Sequence, residues 1–217
     1  MNRSIRHHHW WDRVPTWLAI AACVLVSIIA PAPAGATTNS DPGRLPQTTG
    51  EPAFDGALNS QMTTLWRAIV RDDNALGRSV FFPRSAYLKM KTGLLPDPRN
   101  DYATRLIGFF DLDLIAYDRA VQAHGVPSLV HVSFNRAYAT WIAPGHCENR
   151  IGYWHLPGVR LVFRSGVRLW SVAVDSLISW RGVWYVVHLG PNPRPTSAGT
   201  VLGFQAGAGT PGPPGGC

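Results

Sequence analysis

The chain has 217 residues, which is enough for one domain of ordinary size together with terminal segments. Hydrophobic residues make up 46% of the chain and charged residues 15%, and this composition excludes disorder throughout. The formal net charge of +7 comes mostly from single, dispersed arginines rather than from a Lys/Arg-rich run, so we expect no nucleic-acid partner.

Residues 1–36 have the pattern of an export signal. A basic, histidine-rich start precedes the apolar segment LAIAACVLVSIIAPAPAGA, whose small residues Ala34 and Ala36 predict cleavage after Ala36. Two alternatives stay open, because residues 17–36 are long enough for a membrane anchor and Cys23 follows a lipobox-like sequence. In each case the arginines precede the apolar run, so we expect a secreted or cell-envelope-associated domain. Contact with the membrane is expected only through this segment.

Two main helices are predicted after a flexible, disordered linker at residues 37–57, which is rich in Thr, Gly, Pro and Asp. Apolar side chains recur at helical spacing from Gln61 to Ala75, which predicts an amphipathic helix. Residues 79–92 follow as a short strand or irregular segment broken by a proline. A longer helix is predicted over residues 100–125, with Asn100 or Asp101 as its N-cap.

The hydrophobic period changes from 3.6 to 2 at Ser128, which predicts consecutive antiparallel strands up to about residue 190. The fold class is therefore α+β, with one globular domain over residues 58–190. Residues 191–217 are rich in Gly and Pro, and they predict a disordered tail without a regular element.

The order of elements, two helices and then an antiparallel meander that ends in SWRGVWYVVHL, resembles the cone-shaped nuclear transport factor 2-like (ketosteroid-isomerase-like) fold. This resemblance covers residues 58–190, and it implies two main helices packed on a curved sheet of about four to five strands, with a pocket at the open end. The motifs FFP-x-SAY-x-x-x-K, PG-x-C-x-NR-x-GYW and SLISWRG-x-WYVVHL are also similar to those of an uncharacterised family of exported proteins from high-GC Gram-positive bacteria. That second resemblance implies no activity.

Cys147 stands between His146 and Glu148, and after cleavage only Cys217 remains as a second cysteine. An even number of cysteines in an oxidising compartment predicts a disulfide between Cys147 and Cys217. It would close a loop of about 70 residues and stabilise the fold by roughly 4 kcal/mol in the chain-entropy model. A catalytic thiol assisted by a remote histidine is the alternative. No cysteine pair has the spacing of a zinc site, so we assign no metal.

Six side chains are candidates for a pocket or site: Asp113, His131, Tyr138, His155, Asp175 and Trp180. Asp113 lies at the edge of an apolar helix stripe, where it is either a rim carboxylate paired with Arg105 or Arg119, or an active-site acid. The chain has no Gly-rich phosphate loop, nucleophile elbow or convergent carboxylate pair, so we assign no catalytic residue and no cofactor.

Three functions stay open at this point. The first is an exported, non-catalytic binding or structural module at the cell envelope, whose partner is an unidentified small molecule or envelope component held in a pocket lined by Trp and Tyr. The second is a small pocket enzyme (an isomerase, dehydratase or hydrolase) in which Asp175 or a strand histidine is the general base. The third is a protein–protein interaction domain with an exposed apolar sheet face. The sequence makes no prediction of the oligomeric state.

Overall fold

The structure is a computed structural model that describes residues 45–194 and 197–212. The predicted signal or anchor at residues 1–36 and the predicted disulfide partner Cys217 lie outside the described residues. Within the described ranges, no helix has both the length and the apolar character needed to cross a bilayer.

The helical elements occupy most of the first half of the described chain. They are α1 (Gly56–Ile69), α2 (Asn74–Arg78), α3 (Arg84–Lys91), α4 (Pro98–Asp101), a π-helical segment (Tyr102–Ile107), α5 (Gly108–Gln122) and a 3-10 turn (Arg136–Tyr138). The two predicted main helices correspond to α1 and to the stretch from α4 to α5.

Both main helices begin earlier than the periodicity predicts, because aspartates cap them. The Asp55 carboxylate accepts a hydrogen bond from Ala57 N (2.8 Å), so α1 starts at Gly56. Asp97 accepts from Arg99 N (3.1 Å) and Asn100 N (3.0 Å), and therefore replaces Asn100 or Asp101 as the cap of α4. The capping aspartate, rather than the first residue of the apolar stripe, therefore determines where each helix begins.

The second half of the chain forms a six-stranded antiparallel sheet, one or two strands more than predicted. The strands are β1 (Pro127–Ser133), β2 (Thr140–Ile142), β3 (Tyr153–Ser165), β4 (Arg168–Trp180), β5 (Val183–His188) and β6 (Gln205–Ala206). The order is β1-β3-β4-β5, while β2 also pairs with β3 and β6 also pairs with β4. The α+β fold class is confirmed.

Register shifts interrupt the strand pairing at two places. One lies between Leu129 and His131 of β1, and the other lies where Ser176 and Leu177 of β4 pair with His188 and Val186 of β5. Bulges of this kind increase local bend and twist. Arg181 (φ 52°) and Gly182 (φ 80°) form a two-residue turn between β4 and β5, as the primed hairpin turns require.

The core lies between the sheet and the helices. Met62 and Leu65 of α1 and Leu114 of α5 are fully buried, together with Leu161 and Val174 of the sheet. Burying a side chain of this size contributes about 1.5–3 kcal/mol, so this layer accounts for much of the stability of the fold. The predicted amphipathic stripe of α1 is the face that enters the core.

The described part of the Gly/Pro-rich tail comprises residues 191–194 and 197–212. Residues 202–206 pack on the sheet, which differs from the predicted disordered tail. Strand β6 pairs with β4 at Trp170 and Ser171, and Ala173 N donates to Leu202 O (3.0 Å). The reason is that β5 covers β4 only from Ser176 to Trp180, so the tail pairs backbone groups on the remaining edge.

Glycine in the tail permits a close backbone crossing. Gly212 N donates to Gly158 O (2.8 Å), and a Cβ on Gly158 would lie 2.2 Å from the Cα of Gly212. Gly158 also has a positive φ of 62°, which glycine adopts readily. The glycine content therefore serves tight packing here rather than disorder.

The described part of the predicted linker also contacts the domain. Gln47 Nε2 donates to Gly152 O (2.9 Å), and Trp154 Nε1 donates to Thr49 O (2.9 Å). The ring of Phe54 lies 5.2 Å from that of Phe134. Residues 45–55 are thus part of the folded unit, while residues 37–44 lie outside the described residues.

Candidate functional site: a cavity between the helices and the sheet

A cavity of about 380 Å³ lies between α3, the π-helical segment and strands β3 to β5. Its volume is near the lower end of the range for small-molecule sites. One part of its lining is apolar and consists of Phe82, Met90, Leu95, Leu106, Ile178 and Val187. The other part is polar, so the cavity has the mixed character that an amphipathic ligand requires.

Helices α3 and α4 and the π-helical segment contribute a hydrogen-bonded cluster of Tyr87, Asp101 and Arg105 to the polar wall. Arg105 Nε and Nη2 donate to the two oxygens of Asp101 (2.7 and 2.8 Å), and the Tyr87 hydroxyl also donates to Asp101. Burial acts to raise the pKa of Asp101, but the hydrogen bonds from Arg105 and Tyr87 outweigh it and lower the pKa. Both oxygens of this carboxylate are already occupied.

Lys91, at the end of α3, holds the loop at the mouth of the cavity. Its Nζ donates to Cys147 O (2.8 Å) and lies 4.0 Å from a carboxylate oxygen of Glu148. The Lys91 side chain is 12% exposed, whereas that of Glu148 is 68% exposed. Burial lowers the pKa of Lys91, while the Glu148 charge partly opposes this shift.

Three neighbouring strands place His155, Ser176 and His188 on the cavity wall. Burial lowers the pKa of His155 to about 4. Burial also lowers the pKa of His188 to about 3, and the positive charges of Arg105, Arg194 and Lys91 act in the same direction. Both imidazoles are therefore neutral at pH 7.

Ser176 connects His155 to Asp175. The Ser176 hydroxyl donates to Asp175 Oδ2 (2.9 Å) and lies 3.1 Å from His155 Nε2. A hydroxyl has one proton, so His155 Nε2 carries the hydrogen of the second contact. Burial raises the pKa of Asp175 to about 6. The serine stands between the other two groups, unlike a catalytic triad, in which histidine stands in the middle.

One of the six predicted site residues, His155, lines the cavity. Asp175 does not line it and contacts it only through the hydrogen bond from Ser176. His131 is exposed on β1, Tyr138 lies in the 3-10 turn, and Trp180 is buried 6.3 Å from the ring of Phe82. None of these three lines the cavity, whose described aromatic side chains are those of Phe82, Tyr87 and Tyr153 rather than a tryptophan.

Asp113 is buried elsewhere and anchors the tail. Its carboxylate forms an ion pair with Arg194 and accepts from Gly190 N (3.0 Å) and Thr200 N (2.9 Å). Its partner is therefore a tail arginine rather than Arg105 or Arg119. Because the sequence predicts an unstructured tail, it gives no reason to expect Arg194 as the partner of Asp113.

The sequence reasoning missed most of the polar wall because residues 79–92 were predicted as a strand or irregular segment. The structure has helix α3 there, which supplies Tyr87 and Lys91. Both the Tyr87–Lys91 pair and the Asp101–Arg105 pair have the i,i+4 spacing of neighbours on one helix face. That spacing is the signal that could have identified them.

No group of three or more His, Cys, Asp or Glu side chains within residues 45–194 and 197–212 is arranged to hold a metal ion. The chain matches no protein-family model, no curated protein and no solved structure. The resemblances to the cone fold and to the exported bacterial family therefore stay predictions.

Proposed function

We propose that this chain is an exported, non-catalytic binding domain of the cell envelope that holds a small amphipathic molecule in the cavity. The observation that carries the proposal is the combination of several apolar and several polar side chains in the lining of one 380 Å³ cavity. Small-molecule sites typically combine a predominantly apolar lining with a few placed polar groups.

Contacts within the protein hold the loop at the cavity in place. Arg150 N donates to Met90 O (3.0 Å), and Lys91 holds the carbonyl of Cys147. Cys147 and Glu148 have positive φ values of 55° and 54°, so this loop follows a defined, sharply turned path. A preformed site avoids part of the entropy cost of ordering a loop on binding.

The enzyme hypothesis has less support from the same groups. A general base works best when its pKa is near the operating pH, whereas the pKa values of His155 and His188 are lowered to about 4 and about 3. Asp175 has a more suitable pKa, but Ser176 stands between it and the cavity.

The interaction-domain hypothesis also has less support. Trp180 and Trp184, on the two strands whose aromatic residues raise this possibility, are 7% and 2% exposed. The large exposed apolar side chains of the described residues are all aliphatic, and most are separated along the chain: Leu45, Leu94, Leu112, Val126, Val130 and Val167. Single exposed residues of this kind are normal for a monomer surface.

We also propose the disulfide between Cys147 and Cys217 and an extracytoplasmic location. Gly212 bonds to Gly158, three residues along β3 from His155, and His155 lines the same cavity as Cys147. The five residues that follow Gly212 can span up to about 17 Å when extended. This reach supports the pairing, and the apolar N-terminal segment supports export.

Filling the cavity tests the binding proposal. Leu95 lines the cavity and is partly exposed, so Leu95→Trp should place an indole in the cavity without disrupting the core. We expect ligand-observed NMR with a fragment library to find binders of the wild type that Leu95→Trp weakens at least about tenfold, since the indole displaces them.

The matched control is Leu94→Trp, at the adjacent, 47% exposed position outside the cavity lining. It should bind the same fragments as the wild type. A library without any binder, or binders that Leu95→Trp leaves unaffected, would contradict the proposed function.

A further inference from the structure

We infer that the ligand is a small monocarboxylic acid with an apolar body, whose carboxylate is seated against Lys91, Arg105 and His188. This inference rests on the proposed binding function and specifies its ligand class. It follows from the unused hydrogen-bond donors of the cavity, from its charges and from the position of its apolar wall.

The polar wall has unused hydrogen-bond donors on two cationic side chains. Arg105 uses Nε and Nη2 for Asp101, while Nη1 donates to no described residue. The ammonium of Lys91 has three N–H groups, and one of them donates to Cys147 O. The neutral ring of His188 forms no hydrogen bond within the described part of the chain, and its protonated nitrogen can serve as a further donor.

The two carboxylates of the lining are already used or lie in solvent. Asp101 accepts from Arg105 on one oxygen and from both Arg105 and Tyr87 on the other. The side chain of Glu148 is 68% exposed. The amide groups of Asn149 and Asn192 can donate or accept, so the charged groups that a ligand meets with free capacity are the donors Lys91 and Arg105. Acceptor oxygens on the ligand would satisfy them.

The charges that act on His188 are positive. Arg105, Arg194 and Lys91 all lower the pKa of His188, and no acid contributes in the opposite direction. Positive charges around a neutral, buried imidazole favour a negative ligand group. Burial strengthens this preference because water screens the charges less.

The charge balance favours one negative charge over two. Asp101 neutralises Arg105 directly, while Glu148 is 4.0 Å from Lys91 and largely in solvent. Lys91 is therefore the less fully compensated of the two cations, and a single such charge matches a carboxylate better than a phosphate dianion. A second buried negative charge would lack a partner, which is costly.

The apolar wall accommodates the remainder of the molecule. Met90 and Leu106 are buried beside the cavity, and Leu95, Ile178 and Val187 complete this wall. The small cavity volume limits the body to a short alkyl chain or a single ring.

Hexanoate and hexanamide test the inference, because they share an alkyl chain and differ in charge. We expect isothermal titration calorimetry at pH 7 to show that the wild type binds hexanoate at least about tenfold more tightly than hexanamide, because charge-assisted hydrogen bonds are the stronger ones. Lys91→Gln should remove most of this preference while it still binds hexanamide, which shows that its cavity is intact.

Lys89→Gln is the matched control, since Lys89 is exposed on the same helix and does not line the cavity. It should keep the wild-type preference for hexanoate. Equal affinity of the wild type for the two probes, or an undiminished preference in Lys91→Gln, would overturn the acid assignment. The fragment library then separates the two proposals. If it yields binders that Leu95→Trp weakens, the proposed function stands and only the acid assignment is wrong. If it yields no binder, both are wrong.

Discussion

Asp175 shows how a single buried carboxyl group makes stability depend on pH. Burial raises its pKa from 3.8 to about 6, the hydrogen bond from Ser176 opposes this shift, and the charge of Asp113 adds to it. Between these two pH values the folded state binds more protons than the unfolded state. The stabilising effect of the protonated group is therefore complete below about pH 4 and is lost as the pH rises through 6.

Replacing this carboxyl group should remove that dependence. We expect Asp175→Asn to become more stable relative to the wild type as the pH rises from 4.5 to 7.5, by on the order of 2 kcal/mol, because an amide has no proton to lose. Urea unfolding of both proteins at several pH values measures the difference, in which the titration of His155 and His188 largely cancels. A difference that stays constant with pH would contradict the shifted pKa.

At the scale of elements, the contact between α5 and the tail is the least expected feature of the fold. Asp113 on α5 pairs with Arg194, and its carboxylate also accepts from the backbone N–H groups of Gly190 and Thr200, which lie on either side of Arg194 in the chain. The guanidinium of Arg194 lies 4.3 Å from the ring centre of Phe109 on the same helix. Helix α5 therefore holds the start of the tail through buried polar contacts to Gly190, Arg194 and Thr200.

Removing the anchor should release the tail. We expect Asp113→Ala to lower the free energy of unfolding by about 3–5 kcal/mol, because it leaves the buried Arg194 charge without its partner. Hydrogen exchange should also become faster at Thr200 and Leu202, and denaturant unfolding gives the change in stability.

Asp111→Ala is the control on the same helix, since Asp111 pairs with Arg78 at the surface. Surface pairs contribute about 0–1 kcal/mol, so its effect should be small and should not reach the tail. Equal losses in the two variants would show that Asp113 does not anchor the tail.

At the scale of the whole molecule, export and the disulfide belong together. The described tail is already held at Asp113, along β4 and at Gly158. A bridge from Cys217 to the loop that lines the cavity would add a further, covalent attachment close to the cavity. In the chain-entropy model such a loop of about 70 residues contributes roughly 4 kcal/mol.

Mass spectrometry of the exported protein under non-reducing conditions should find a mature N-terminus at Thr37 and a peptide that links Cys147 to Cys217. Cys217→Ser should lower the free energy of unfolding of the oxidised protein by up to about 4 kcal/mol, because it removes the cross-link. Its stability should then equal that of the reduced wild type. Rapid alkylation of both thiols without a reductant would contradict the disulfide, and a retained N-terminal segment would favour the anchor.

The site was only partly predictable because its residues are far apart in the chain. The sequence predicts His155 as a candidate site residue on a strand. Its place in the same cavity lining as Lys91 and Arg105 depends on how α3 and the π-helical segment pack on the sheet. The i,i+4 pairs on these helices are local and could be found from sequence. Their convergence with His155 and His188 could not.

Local patterns in the sequence determined the α+β class, both main helices and the order of the long strands, because capping and hydrophobic periodicity act over a few neighbouring residues. Only the tertiary structure decided that the Gly/Pro-rich tail fills the open edge of β4 and that Asp113 pairs with Arg194 across 81 positions. Such contacts depend on which backbone edges and charges the packed elements leave unsatisfied, and this is a property of the assembled fold rather than of any segment.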